Sequence, residues 1–448
     1  MNGPVTIVGG GLAGSEAALA LAARGHAVRL YEMRPATPTG AHHTGELAEL
    51  VCSNSLGSRL PGRATAILME EAGRLGSRLL DLARAHAVPA GGALAVNRER
   101  FAHAVTGAVA AERRITLIRE EAAAIPEPPA IIAAGPLASP ALARALAEAA
   151  GAEHLYFFDA IAPLVSGESV DFSRAFRASR YERGESQEGD YVNCPFTREE
   201  YTAFVEALRG AERAPLRDFE SEIGGGVRAG SGFFERCLPV EVIAGRGERA
   251  LAFGPMRPVG LRDPRTGRRP YAVAQLRRED VAGAAYNLVG FQTNLTFGEQ
   301  TRVFRMIPGL GRAEFLRHGQ MHRNTFLNAP RVLRATLEWR DRPGLFVAGQ
   351  LAGVEGYLGN IATGLLAARN LARRLEGREP SELPDTTMLG ALCRYLSAAD
   401  PGEFQPMKAN IGLLPPLPEP APRGKFDRAL AHAARSAADM AKWLAATE

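Results

Sequence analysis

Residues 5–34 read VTIVGGGLAGSEAALALAARGHAVRLYEMR and constrain the fold more than any other stretch. Val5 to Val8 is a short apolar run suited to a buried parallel strand. Gly9, Gly11 and Gly14 follow as G-x-G-x-x-G, with Gly10, Leu12 and Ala13 completing the turn. Ala17, Ala18, Leu19, Leu21 and Ala22 continue as an apolar helix that Gly25 stops. Ala27 to Tyr31 is a second strand, ending at Glu32 and Arg34. The three glycines serve different ends. Gly9 permits the tight turn, Gly11 lets a pyrophosphate approach the backbone, and Gly14 lets helix and strand pack closely. The helix N-terminus offers unpaired N–H groups to the phosphates, and Glu32 is placed to accept from an adenosine ribose. A glycine motif alone is weak. Set in a complete strand–helix–strand unit with a terminal acid, it predicts a dinucleotide site.

The 448 residues allow two or three domains with substantial cores. With 46% apolar and 23% charged residues, the composition is that of an ordinary globular protein. No segment approaches a membrane span. The first strand starts so early that no cleavable signal is expected. Four cysteines without close pairs do not form a disulfide framework, so a reduced cytoplasm is the expected location. A net charge of +4 does not by itself argue for nucleic acid. The cations are unusual in kind, with 50 Arg and only Lys408, Lys425 and Lys442. Arginine suits phosphate and base contacts, but a compositional bias that also raises Ala, Gly and Pro explains it equally well.

Further along, His42 and His43 lie in a polar loop, with no third ligand at metal spacing. Leu50 to Gly57 (LVCSNSLG) places Cys52 among small polar residues that can hold a turn or bind a ligand. The pattern predicts one long helical stretch over 64–85, a helix over 98–111, and a strand in Pro129 to Gly135 of the kind that lies under a flavin cofactor. From about Ala162 the segments become short, alternating and aromatic, which predicts an inserted α+β domain. Within it, Leu251 to Gly260 and Tyr271 to Leu276 read as strands of a hairpin. Its tip carries Arg262, Arg265, Arg268 and Arg269. The tip is either simply solvated or a phosphate contact for an RNA. Gly344 to Gly349 is a late strand ending in glycine, followed by LAGVEGYLGNIATG with Glu355, Gly356, Tyr357 and Gly364. That arrangement closes over the ribityl and pyrophosphate groups in flavin enzymes. The expected organisation is an FAD-binding domain of Rossmann-like α/β type in two parts, 1–165 and 326–448, around an insert at 166–325. Tyr357 is open between stacking on the isoalloxazine or a base and plain half-burial. Cys194 and Cys393 read as structural.

GGGLAGSEAA, LVCSNSLG, FERCLPVE, HRNTFLNAPR, AGVEGYLGNIATG and QPMKANIGLLPP occur in this order. Together they resemble the folate- and FAD-dependent tRNA uracil-54 C5-methyltransferases. The resemblance runs from Val5 to about Pro416, and the cysteine-containing motifs are its specific part. It implies FAD as cofactor, bound through Gly9 to Gly14, Glu32, Arg34, Gly349, Glu355, Gly356, Tyr357 and Gly364. It also implies 5,10-methylenetetrahydrofolate as one-carbon donor, NADH or NADPH as reductant and tRNA as substrate, with neither metal nor membrane involved.

The implied chemistry needs a soft nucleophile to add to C6 of uracil, so that C5 can attack the methylene carbon. By resemblance Cys237 is the main candidate for that nucleophile, and Cys52 is a second catalytic thiol near the flavin. The residues alone leave open which of them attacks C6. Thiolates need positive charge, hydrogen bonds or a helix N-terminus; Arg236 beside Cys237, and Ser53, Asn54 and Ser55 after Cys52, can serve. The target uracil lies inside a folded tRNA elbow and has to be extruded. That implies a basic surface to which Arg262, Arg265, Arg268, Arg269 and Lys408 contribute. Two departures from the family pattern are the loop at Glu220 to Ser231 and Asn360, where a small residue is expected. Three other functions stay open: the same chemistry on ribosomal RNA, an FAD oxidoreductase with a redox cysteine pair, and a flavin-bound RNA-binding protein without chemistry.

Overall fold

The computed structural model describes residues 3–447, except 40, 152–154, 161, 183–188, 215–237, 281–282 and 320. At 155–160, 182 and 321–324 it describes the backbone alone. Cys237 and the loop at Glu220 to Ser231 therefore lie outside the described residues, as do the side chains of His322, Arg323 and Asn324.

The glycine-rich opening folds into strand Val5–Val8, helix Leu12–Ala23 and strand Val28–Tyr31. Val5–Val8 pairs in parallel with Val28–Tyr31 on one side and Ala130–Ile132 on the other, with Ile7 opposite Leu30 and Ile131. Ile115–Ile118 and Leu345–Val347 add the outer strands, both parallel. The order across this five-stranded sheet is 345–347, 130–132, 5–8, 28–31, 115–118. Ile7, Leu30, Ile131 and Phe346 are fully buried, as the apolar runs of a sheet covered on both faces require. A strand from the last quarter of the chain thus completes the sheet begun by the first. Helix Leu12–Ala23 packs along helix Tyr357–Leu375. Glycine makes that contact possible, since a Cβ on Gly364 would stand 2.2 Å from the Ala13 carbonyl oxygen. One on Gly14 would stand 1.8 Å from that of Gly9.

Between these parts lies a six-stranded antiparallel sheet with its own core. Its strands run in the order Phe176–Ala178, Tyr191–Phe196, Ala272–Arg278, Ala285–Leu288, Leu164–Ser166 and Phe315–Arg317. Val192, Cys194, Phe204, Leu276, Phe291 and Phe304 fill its interior. The chain reaches this sheet and returns from it through an antiparallel pair, Leu155–Ala160 with Met321–Phe326.

Two local expectations change. The stretch 64–85 is two helices, Ala64–Arg74 and Arg78–Ala85. Gly76 breaks it at φ +84°, and Ser77 accepts from the Leu80 N–H to start the second helix. The expected strand over Leu251 to Gly260 is instead the short helix Ala250–Phe253 followed by turns, so there is no hairpin. Leu251 and Met256 are fully buried in the insert core. A short apolar run of this kind suits either a helix or a strand. The turn itself is present, closed by Asp263 N–H to Arg268 O at 3.0 Å and Gly267 N–H to Asp263 O at 2.8 Å.

Candidate active site

Two helix N-termini face one cleft. Gly9, Gly11, Leu12 and Ala13 bring the first, and Gly349, Tyr357 and Asn360 bring the second. Both helices start from a glycine, Gly11 and Gly356, without a side-chain cap. Their first N–H groups have no intrahelical acceptor and favour an anion. A Cβ on Gly11 would meet nothing within 4 Å, so open space lies in front of this turn. Gly9 is fixed differently. Its φ is +103°, and a Cβ there would be 2.4 Å from the Ala133 carbonyl oxygen. The Asn360 Oδ1 is buried without a partner and lines the same cleft. Uncapped N-termini, an open glycine and an orphaned acceptor fit a dinucleotide with a pyrophosphate and polar ring edges.

Glu32 closes one end. Its Oε2 accepts from the Gly10 N–H at 3.0 Å, and its Oε1 accepts from the Arg34 backbone N–H and Nε, both at 3.0 Å. Burial works to raise this carboxyl, but the bonds and charge of Arg34 and the Gly10 bond hold it below the usual carboxylate range. It is therefore ionised, with acceptor capacity left for ribose hydroxyls. Arg34 is fully engaged by the chain. It also donates to Glu49 Oε2 at 3.1 Å and to the carbonyls of Thr44 and Glu46. The ion pairs with Glu32 and Glu49 join three residues of the cleft wall. His42 lines the cleft, with its Nδ1 2.6 Å from Thr39 Oγ1. Among the described residues, no group of three His, Cys, Asp or Glu is placed to hold a metal, and no helix is long and apolar enough to cross a membrane.

Cys52 sits on a half-buried turn next to this cleft. The Tyr357 hydroxyl accepts from the backbone N–H of Cys52 at 2.9 Å and of Ser53 at 3.1 Å. Burial pushes this phenol up, so it stays neutral. Asn54 Nδ2 donates to the carbonyls of Val96 and Arg278, and Arg277 Nη2 donates to Ser53 Oγ at 2.9 Å. Arg98 donates to the carbonyls of Leu50 and Val51. The turn is thus gripped from the insert sheet, from helix Arg98–Ala111 and from the second cofactor helix. Tyr357 takes part through its hydroxyl while its ring lines the cleft.

The other candidates are placed elsewhere. Cys194 and Cys393 are buried, and burial raises both thiols, Cys194 to about 12. Arg262, Arg265, Arg268 and Arg269 are exposed around the 263–268 turn. Arg265 is held there by Asp263, at 2.8 Å, and by the Ser173 carbonyl. Lys408 lies opposite Glu355 in the short pairing of Val354–Glu355 with Met407–Lys408, and its side chain passes Gly356. Arg98, Arg277, Glu279 and Arg317 were not among the site residues expected from sequence, although they surround Cys52. For Arg277, Glu279 and Arg317 the one sequence signal is charge in or just after strands of the insert, as in LRRED; Arg98 opens helix Arg98–Ala111 and carries none.

A parallel sheet with this glycine turn, the terminal acid Glu32 and a second helix N-terminus closing the cleft defines an α/β FAD-binding protein of Rossmann-like type. Solved structures agree on the fold. Aquifex aeolicus GidA, in two crystal forms, superposes with a TM-score of 0.69 over 98% of this chain. The match covers 73% and 75% of those chains, at 16% and 17% identity. Residues 4–379 match the family model described as glucose inhibited division protein A. At 55% identity over 445 residues, 99% of both chains, the sequence is similar to the methylenetetrahydrofolate--tRNA-(uracil-5-)-methyltransferase TrmFO of Desulforudis audaxviator. At 53% over 444 residues, 99% of this chain and 95% of the relative, it is similar to the enzyme of that name from Thermosynechococcus vestitus. The chain belongs to this methyltransferase family, within the broader GidA grouping.

Proposed function

We propose that the protein methylates C5 of uracil-54 in the T-loop of tRNA. 5,10-Methylenetetrahydrofolate is the one-carbon donor, FAD the cofactor, and NADH or NADPH the reductant. The observation that carries this reading is Cys52, a half-buried thiol on a turn that Tyr357 ties to the wall of the dinucleotide cleft. FAD, when bound, supplies a carrier for the methylene carbon and a hydride. The rest falls to the chain. The N–H groups after Gly11 and after Gly356 receive the pyrophosphate and the polar edge of the ring, and Glu32 orients the ribose. A thiol adds to uracil C6 and turns C5 into a nucleophile. In this reading Cys237 makes that addition and Cys52 is the second thiol, beside the cofactor. The full-length likeness to enzymes with this name supports tRNA over the ribosomal and purely oxidative alternatives.

The cofactor domain in this reading is 1–165 with 326–448, and 166–325 is the insert. The exposed Arg262, Arg268 and Arg269 contact RNA phosphates, which position the substrate without reading its sequence. Arg265 shapes their turn, and Lys408 contacts RNA nearer the cofactor helix. The reaction takes place in the cytoplasm.

The test is direct. Holoenzyme, methylenetetrahydrofolate, NADPH and an unmodified tRNA transcript are incubated, and the RNA is digested for nucleoside analysis. 5-Methyluridine at position 54 is the expected product. Its absence from protein that shows a flavin spectrum would sink the reading. Cys52→Ala lowers the rate at least about a hundredfold and leaves the flavin spectrum in place.

A further inference from the structure

Three guanidinium groups converge around the Cys52 turn, and one carboxylate faces them. Arg98, from helix Arg98–Ala111, meets Glu279 with Nε 2.5 Å from Oε2. Arg277, from strand Ala272–Arg278, is 8% exposed. Its Nη2 donates to Ser53 Oγ, and its Nε is buried without a partner. Arg317, at the end of strand Phe315–Arg317, has both Nε and Nη2 buried without partners. Glu279 is shared among three guanidinium groups, while Glu49 and Asp280, which line the same cavity as Arg98 and Arg317, are engaged by Arg34 and by the Ala284 and Ala285 N–H groups. Buried unpaired guanidinium is costly, and an anion within reach relieves it.

Both strand arginines feel groups from several elements. Burial lowers the Arg277 guanidinium; Tyr191, Glu279 and Cys52 act to raise it, and Arg98 to lower it. Burial and then Arg98 lower Arg317 to about 10, against Glu279, Tyr357 and Cys52. Glu279 is already paired with Arg98. Tyr357 is kept neutral by burial, and its oxygen is occupied by two N–H groups. Of the groups that act on both Arg277 and Arg317, Cys52 is the one left to become an anion near neutral pH.

We infer that Cys52 rests as a thiolate held by Arg277 and Arg317, two positioning residues presented by strands of the insert. The thiol beside the cofactor cleft is then charged because the insert sheet is docked against it. Ser53 and the Tyr357 hydroxyl set the turn, and the two arginines set its charge. This goes beyond the methyltransferase reading: it concerns the resting protein and needs neither folate nor RNA.

The experiment is alkylation of the holoenzyme carrying Cys237→Ser, in which Cys194 and Cys393 are shielded by burial. Iodoacetamide is applied from about pH 5 to 9, and the Cys52 peptide is followed by mass spectrometry. The expected half-maximal rate lies at least about one pH unit below the ordinary thiol value of about 8.5. Arg277→Gln and Arg317→Gln each move it up, with about a tenfold loss of rate near pH 6.5 per unit moved. Arg277→Lys recovers most of the loss. The preference for anionic iodoacetate over iodoacetamide falls in the Gln variants, which reports the positive potential directly. A midpoint near the ordinary thiol value in the parent protein overturns the inference. So does an unchanged midpoint in folded Gln variants. Should Arg277→Gln fail to fold, Arg317→Gln and the parent profile still decide. A failed methylation assay with a low thiol midpoint would sink the proposed reaction and leave this inference standing.

Discussion

The Tyr357 hydroxyl couples the thiol turn to the helix that starts at the cofactor. It accepts two backbone N–H bonds from residues more than 300 positions earlier. Nothing local in GYLGNIATG encodes such a partner, so the sequence leaves Tyr357 open between stacking and simple burial. Gly9, Gly11 and Gly14 are different: Ala133 crowds Gly9 from far along the chain, but the glycine spacing between an apolar strand and an apolar helix is local, and the turn is readable from it alone. Tyr357→Phe keeps the ring that lines the cleft and removes the acceptor. Two N–H groups then lose their partner, at about 1–3 kcal/mol for a buried group, and the turn relaxes. The expected result is methylation slower by about tenfold or more, with flavin content and absorption maxima unchanged. Full activity in the Phe variant would show that the hydroxyl does not position the turn.

Two helices have first N–H groups bound by acids from other elements, beside their own caps Ser77 and Thr387. Glu71 accepts from the Met388 N–H at 2.6 Å and the Leu389 N–H at 2.8 Å, and also from Ser436 Oγ. Glu16 does the same for helix Arg78–Ala85, accepting from the N–H groups of Arg78 and Leu79 and from Ser77 Oγ. The helix Met388–Ala398 itself is legible from its apolar spacing. Its cap from Glu71 is not, because the acid lies over 300 residues upstream. The same limit explains Leu251 to Gly260, where burial of Leu251 and Met256 against the insert core decides between two locally equal outcomes.

Burial raises Glu71 from 4.5 to about 7, against its three hydrogen bonds. A carboxyl raised in the folded state contributes stability below its unfolded value and loses it as pH rises through the folded one. The window is therefore pH 4.5 to about 7, and stability falls across it. Glu71→Gln cannot titrate, so the stability advantage of the parent over this variant narrows between about pH 5 and pH 8. The expected narrowing is on the order of 2 kcal/mol, measured by denaturant unfolding at both pH values. A gap that widens with pH would show that the bound N–H groups keep Glu71 ionised in the fold.

At the scale of the molecule, two hydrophobic cores meet across a polar seam. One core runs from Val5 to Trp443 and skips the insert, and the other spans Val165 to Ala313. Composition and the change of pattern near Ala162 reveal two bodies. The seam between them stays hidden, since its partners pair across the chain: Asn54 with the Arg278 carbonyl, Asp190 with Gly91, Tyr191 with the Ala90 carbonyl, Arg98 with Glu279. Glu279 is the carboxylate facing Arg98, Arg277 and Arg317, and it is 7% exposed. Removing one partner of a buried pair leaves the other charge uncompensated, at about 3–5 kcal/mol. Glu279→Gln should therefore lower the midpoint of thermal unfolding and weaken the seam, so that the two cores melt in separate calorimetric transitions. Arg98→Gln added to Glu279→Gln removes one of the uncompensated charges and restores part of the loss, a coupling that a double-mutant cycle measures. Additive effects in that cycle would mean that Arg98 and Glu279 do not act as a pair, and that the seam is held by its side-chain-to-backbone hydrogen bonds.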